Sequence, residues 1–290
     1  MKPLKNSELI INPDGTIYHL NLKPGDFAKD FILVGDPGRV PKISKYFDKI
    51  LHTSQNREIV AHTGELNGKL LTVMSTGMGT DNIDIVMNEL DALVNIDFET
   101  RKYKDKLTSL NIVRLGTSGA IQADIPIDSF AVSTHGIGFD GLLKFYDSDH
   151  VTDTGLSEEF IRQVNWDKDL PYPYIATCSD ALYQKVGKGM NSGMTATAPG
   201  FYGPQGRILR IPLRHPQLMD QMQHFSHEGK RIINFEMETS ALYGLGKLLG
   251  HNTLTVCAVI ANRALDTYSK NHHKPIEKLI QVVLERLSGE

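Results

Sequence analysis

Cysteine is nearly absent from this 290-residue sequence, tryptophan occurs once, and neither a long apolar run nor a surplus of one charge is present. Each absence removes a class of protein. Cys178 and Cys257 lie far apart, each in an apolar stretch, so no disulfide framework is expected and a reducing compartment fits. The longest apolar run, Val256 to Ala261, is far shorter than the roughly 20 residues needed to cross a bilayer, so no membrane span is expected. Met1 to Gly15 shows no apolar segment ahead of a small-residue cleavage site. No signal peptide is therefore expected, and the expected location is cytoplasmic. Lys plus Arg number 31 against 34 for Asp plus Glu, a formal net charge of -3, which argues against a nucleic-acid polymer held by bulk charge.

Several catalytic signatures are missing as well. No Gly-Lys-Ser/Thr closes a Walker A loop, and no G-x-S-x-G elbow presents a hydrolase serine. The segment Gly77-Met78-Gly79-Thr80-Asp81-Asn82 has the first two glycines of a dinucleotide fingerprint but an asparagine in place of the third. His224, His227 and the pair His272-His273 lack the clustered spacing of a metal site, so no metal is expected.

What remains is an ordinary globular composition, 40% hydrophobic and 22% charged, able to bury its own core. Length alone gives about two domains, but no linker, repeat or low-complexity tract divides the chain. Residues 1–290 are therefore expected to form one domain with an N-terminal extension of about fifteen residues. Phe31 to Val34 reads as a buried strand that stops at Gly35-Asp36-Pro37-Gly38, followed by a helix from Arg39 to Phe47. Arg57 to Leu66 and Lys69 to Ser75 read as strands joined by an Asn67-Gly68 hairpin. Ile83, Val86, Met87, Leu90 and Leu93 share one face of a helix. Asn111 to Leu115 reads as a strand ending in a turn, Gly116 to Gly119, and Asp140 to Asp153 as a surface excursion. A helix is expected from about Glu236 to Leu249, capped by Gly250, then a core strand from Thr253 to Ile260. The stripe Ile276, Leu279, Ile280, Val283 and Leu287 closes the chain as a helix. Strands alternating with helices give an α/β class.

Three glycine-rich turns, at Gly35, Gly77 and Gly116, each follow an apolar strand, where an open α/β sheet binds its ligands. Any one of them is explained by turn chemistry alone. Arginine changes the weighting. Arg39 follows the first turn, and Arg114 lies inside an apolar strand, where a cation needs a partner. A guanidinium fork matches two phosphate oxygens. The carboxylates of Glu236 and Glu238 are explained, alone, by a helix dipole. The loop Phe201-Tyr202-Gly203-Pro204-Gln205-Gly206-Arg207 reads equally as a surface turn or as a surface that stacks on a flat ring and bonds its edge.

In this order and spacing, from about Tyr18 to Arg263, these residues resemble the nucleoside phosphorylase I family, closest to its uridine phosphorylases. The resemblance implies a three-layer α/β fold, a central mixed sheet flanked by helices. It implies phosphate binding by the Gly35 amide, Arg39, Arg114 and Thr117. Arg57 is implied to reach the phosphate of a neighbouring subunit, and His19 to cross to the neighbour's ribose 5′-hydroxyl. Glu238 is implied to take the ribose hydroxyls, with Met237 packed on the sugar. Phe201, Gln205, Arg207 and Gly119 are implied at the base. The implied catalytic set is Arg114, Glu238, Arg207 and Gln205.

The implied reaction is phosphorolysis of uridine, or a related pyrimidine nucleoside, to uracil and ribose 1-phosphate in pyrimidine salvage. Phosphate is a co-substrate, no cofactor is implied, and the protein would be at least a homodimer. Asn82 stands where bacterial relatives place a serine near an interface cation, which leaves a potassium ion open. Purine family members carry a Ser-Asp pair after the last core strand, where this chain reads Ile260-Ala261-Asn262-Arg263. A purine or methylthioadenosine phosphorylase is the nearest alternative. A nucleoside-binding sensor without turnover is the alternative from another class.

Overall fold

The computed structural model describes residues 2–289. Its longer strands are β1 (Asp30–Val34), β2 (Lys49–Asn56), β3 (Ile59–Leu66), β4 (Lys69–Ser75), β5 (Asn111–Ala120), β6 (Phe130–Gly138), β7 (Tyr174–Thr177), β8 (Asn191–Thr197), β9 (Lys230–Glu236) and β10 (Asn252–Asn262). The main helices are α1 (Val40–Ser44), α2 (Thr80–Asn95), α3 (Thr154–Val164), α4 (Thr239–Leu249) and α5 (His273–Ser288). One mixed sheet runs β9-β8-β6-β10-β5-β1-β4-β3-β2, with β7 added beside β6.

The alternation along β1 sets the layers. Phe31 and Leu33 pack with the apolar faces of α2 and α4, whereas Ile32 and Val34 pack with α1 and α5 on the other side. All five expected stripe residues of α2 are buried, as are all five of α5. Burial of each aliphatic side chain supplies about 1.5–3 kcal/mol, so these two stripes clamp the sheet from both faces. The hairpin at Asn67-Gly68 forms as expected, both residues taking positive φ, 52° and 73°. Gly250 caps α4 in the left-handed region at φ 74°.

The sheet also closes on itself. β9 pairs antiparallel with β5, Asn234 opposite Ala120 and Phe235 opposite Gly119, so β5, β9, β8, β6 and β10 complete a ring. This pairing leads the segment after β9 back along β5 toward Arg114. Nothing in the hydrophobic pattern announces that register.

Five expectations are corrected. Gly116 to Gly119 is strand, not turn: β5 continues to Ala120 because it stays paired with β10 along this stretch and with β9 at Gly119 and Ala120. Residues 49–56, assigned to no element between the expected helix and the expected strand from Arg57, form β2, an exposed edge strand, and the helix expected from Arg39 to Phe47 shortens to α1. Arg57 is not in a strand but in the β2–β3 turn, at φ 52°. Glu236 and Glu238 are not in the first turn of α4. Glu236 ends β9 and Glu238 is the N-cap. The Asp140 to Asp153 excursion is only partly superficial, because Leu143 and Ser148 are buried and Asp140 accepts a hydrogen bond from Tyr174 at 2.9 Å.

Candidate active site

A cavity of about 590 Å³ opens where β1, β5 and β9 end, and it gathers three chemically distinct ends. At the first, β1 stops at Gly35. A Cβ there would lie 3.3 Å from the Gly77 carbonyl, so the first and second glycine turns abut. Asp36 caps the following turn by accepting the Gly38 amide at 2.8 Å, and this presents Arg39 to the cavity. Arg39 Nη1 donates to the Leu115 carbonyl at 3.1 Å. Burial, and then the like charge of Arg114, lower its pKa from the ordinary arginine value. Two guanidinium groups of like charge in one cavity favour an anion between them.

Arg114 enters from the middle of β5 and is 5% exposed. Its fold over Gly116 is a matter of space: a Cβ at 116 would lie 2.3 Å from Arg114 Nη1 and 3.0 Å from Cys257 Sγ. The glycine that resembled a turn residue is therefore a cradle for the guanidinium. Arg114 Nη2 pairs with Glu238 Oε2, and Nη1 lies 3.3 Å from Glu236 Oε2. Burial opposes the charge, but Glu238 and Glu236 outweigh it and hold the Arg114 pKa above the ordinary range. Arg114 Nε is buried without a hydrogen-bond partner. Thr117 lines the same cavity.

The second end is the acidic one. Glu236 accepts the Thr197 hydroxyl at 2.8 Å and the amides of Glu238 and Thr239 at 2.9 and 3.0 Å. Its carboxylate is consumed in fixing the start of α4, which leaves Glu238 as the group presented. Glu238 is 3% exposed and accepts the Gly79 amide at 2.7 Å. Burial raises its pKa, against the opposing pull of Arg114. Met237 lines the cavity between them.

The third end is the turn after Ala198. Arg207 Cζ sits 3.8 Å above the Phe201 ring, and its Nη1 donates to the Phe201 carbonyl at 2.7 Å and to Gln205 Oε1 at 2.6 Å. Gln205 is buried, and because its oxygen is occupied its amide N–H groups are the free polar edge. Gly206 takes φ 68°, so the turn closes with glycine where other residues are strained. Gly119 lines this end from β5.

A family model described as the phosphorylase superfamily matches residues 29–289. The chain belongs to the phosphorylase superfamily. Among superfamily members it is similar to the uridine phosphorylase of Thermococcus kodakarensis, 30% identical over 269 residues that cover 90% of this chain and 83% of that one. A purine nucleoside phosphorylase of Bacillus cereus is 26% identical, covering 92% and 97%. Among solved structures, a nucleoside phosphorylase of Trypanosoma brucei described as showing uridine phosphorylase activity superposes with a TM-score of 0.87 at 31% identity, covering 97% of this chain and all of that one.

Of the residues expected in the superfamily site, the structure brings Gly35, Arg39, Arg114, Thr117, Gly119, Phe201, Gln205, Arg207, Met237 and Glu238 to one cavity. His19 and Arg57 are not among its lining residues. The segments that carry them meet, because Asn56, next to Arg57, donates its side-chain amide to the His19 carbonyl at 3.0 Å. Glu89 of α2 fixes the same segment, accepting His19 Nδ1 at 2.6 Å and the Leu20 amide at 2.9 Å.

Sequence reasoning missed Glu58 and Tyr268, which line the cavity, and Arg263. Arg263 donates to the carbonyls of Gln205 and Gly206 and so holds the turn from behind. Its pKa is lowered by burial and then by Arg207. The one available signal was a cation directly after an apolar core strand. No helix among the described residues is long and apolar enough to cross a membrane.

Proposed function

We propose that the protein catalyses phosphorolysis of uridine to uracil and ribose 1-phosphate. The observation that carries this reading is the Phe201–Gln205–Arg207 cluster, at the opposite end of one cavity from the Arg39–Arg114 pair, with Glu238 between. An anion, a sugar and a flat polar ring are each matched in that order. Phosphate is held by Arg39, Arg114, the Gly35 amide and the Thr117 hydroxyl, and Glu238 takes the ribose hydroxyls.

As a phosphate oxygen bonds to C1′, the glycosidic electron pair leaves with the base. Positive charge builds on the sugar and negative charge on the uracil oxygens. The phosphate faces the first, while Arg207 and the free amide of Gln205 face the second. Their pre-fixed orientation, through the Phe201 stack and the Arg263 support, means little reorganisation as charge develops. Glu238 holds C1′ toward the nucleophile, an orientation effect worth several kcal/mol. The leaving uracil anion takes its proton from solvent, and no covalent enzyme intermediate is needed.

His19 and Arg57 sit on segments that meet but do not line their own cavity, which supports a homodimer in which each serves the neighbour's site. Cytoplasmic pyrimidine salvage fits this reading. Similarity to purine nucleoside phosphorylases supports a purine substrate as the second reading. Incubation with uridine, thymidine, inosine and methylthioadenosine, each with and without phosphate, separates them. Phosphate-dependent uracil release is expected. Turnover of inosine without uridine would overturn the pyrimidine assignment.

A further inference from the structure

A second cleft, also about 590 Å³, shares Asp36, Arg39, Thr117 and Ile260 with the reaction cavity. Arg39 therefore stands in the wall between the two. Beyond it the cleft is lined by Lys42, Lys45, His272, His273 and Glu277. Its acidic groups are already engaged. Asp36 accepts the Gly38 amide, and Glu277 accepts Lys45 Nζ at 2.7 Å as well as the Tyr46 hydroxyl. Lys42, by contrast, has no side-chain hydrogen bond or ion pair among the described residues. The His272 and His273 rings lie 4.2 Å apart and touch each other. Neither ring is hydrogen-bonded or ion-paired among the described residues. His272 is also the N-cap of the 16-residue α5 and has no capping side-chain bond, so the positive end of that helix opens on the same space.

Lys42 lacks an anion, the two imidazole rings lack a hydrogen-bond partner among the described residues, and the space they line is contiguous with the proposed phosphate subsite. We propose that this cleft is a second phosphoryl subsite, so that the protein binds an inorganic condensed phosphate with one phosphoryl group at Arg39 and the next beside Lys42, His272 and His273. Such a ligand would compete with phosphate and block the nucleophile's position without occupying the sugar or base ends. The Arg39 end of this proposal rests on the phosphorolysis reading, whereas the Lys42 end does not.

The test is calorimetric titration of inorganic pyrophosphate, and separately of phosphate, into the full-length protein and into a Lys42→Gln/His272→Gln/His273→Gln variant. All three substituted residues are exposed and outside the reaction cavity, and a melting curve of the variant checks its fold. Loss of one charge-assisted contact and two imidazole contacts should raise the Kd for pyrophosphate at least about tenfold, with the phosphate Kd changed less than about threefold. Pyrophosphate should also inhibit uridine phosphorolysis competitively with phosphate. Equal pyrophosphate affinity in wild type and variant, or no detectable binding at concentrations that saturate phosphate, overturns the subsite. Because titration needs no turnover, loss of binding in the variant supports the cleft even if another nucleoside proves to be the substrate. Uridine phosphorolysis with unchanged pyrophosphate affinity sinks the cleft alone.

Discussion

Replacing Gly116 by alanine perturbs the site through geometry rather than by removing a functional group. The new Cβ would lie 2.3 Å from Arg114 Nη1, more than about one ångström inside ordinary contact, and 3.0 Å from Cys257 Sγ. The strand cannot yield readily, because β5 is paired with β10 through this position, Gly116 opposite Cys257. The mobile party is the guanidinium, and any shift draws it off Glu238 and Glu236 and away from the proposed phosphate position. One hydrogen bond to a charged group is worth about 1.5–3 kcal/mol, so kcat/KM for phosphate should fall about 10- to 150-fold. Overpacking should cost about 1–3 kcal/mol of stability in addition. Gly119→Ala is the control for packing on the same strand, since its nearest protein contacts, at 3.8–4.0 Å, are ordinary and little loss of stability is expected. Steady-state kinetics at varied phosphate, with a melting curve for each variant, reads the result. A folded Gly116→Ala protein with wild-type phosphate saturation would refute the reasoning that space at 116 sets the Arg114 position.

Gln205→Leu should lower kcat/KM for uridine by ~1.5–3 kcal/mol, because a polar edge of the base is left unpaired; an unchanged value in uridine kinetics removes Gln205 from the base site. Arg57→Ala and Glu238→Gln should each be nearly inactive alone, yet regain activity when the two chains are co-expressed as mixed dimers, because one site then has both wild-type residues. Absence of recovery in isolated heterodimers would place Arg57 outside the neighbour's site. Burial pushes the thiol of Cys257 up to about 12 and that of Cys178 up to about 11, so both stay protonated, hence unreactive, at pH 8. Mass spectrometry after iodoacetamide treatment of the native protein should show neither modified, and labelling of Cys257 would contradict its burial.

How much of this was legible in the sequence depends on what each residue responds to. The stripes of α2 and α5 and the run of β1 were legible because burial on one or both faces leaves a periodic apolar pattern. The hairpin at Asn67-Gly68 was legible because its turn needs two positive φ angles. β2 was not, since an exposed edge strand carries no apolar alternation, and its turn puts an arginine, Arg57, in the left-handed region without the usual glycine or asparagine. Gly116 was misread because glycine marks both turns and close approach, and here it makes room for Arg114. The same ambiguity covered Glu236, whose carboxylate closes the start of α4 from the preceding strand. Closure of the ring through β5 and β9, and the support of the Gln205 turn by Arg263, are long-range facts with no local signature. The candidate site was readable as a set of residue types in order. Its convergence on one cavity required the fold.

The central claim is that the protein joins phosphate to the sugar of uridine as the base departs. Phosphorus NMR of a reaction containing uridine and inorganic phosphate, with free uracil measured in parallel, tests it most directly. The account predicts that a sugar 1-phosphate resonance grows in equal amount to the uracil released and that both stop when phosphate is withheld. Uracil release at the same rate without phosphate, or no uracil release while inosine is cleaved, would contradict it.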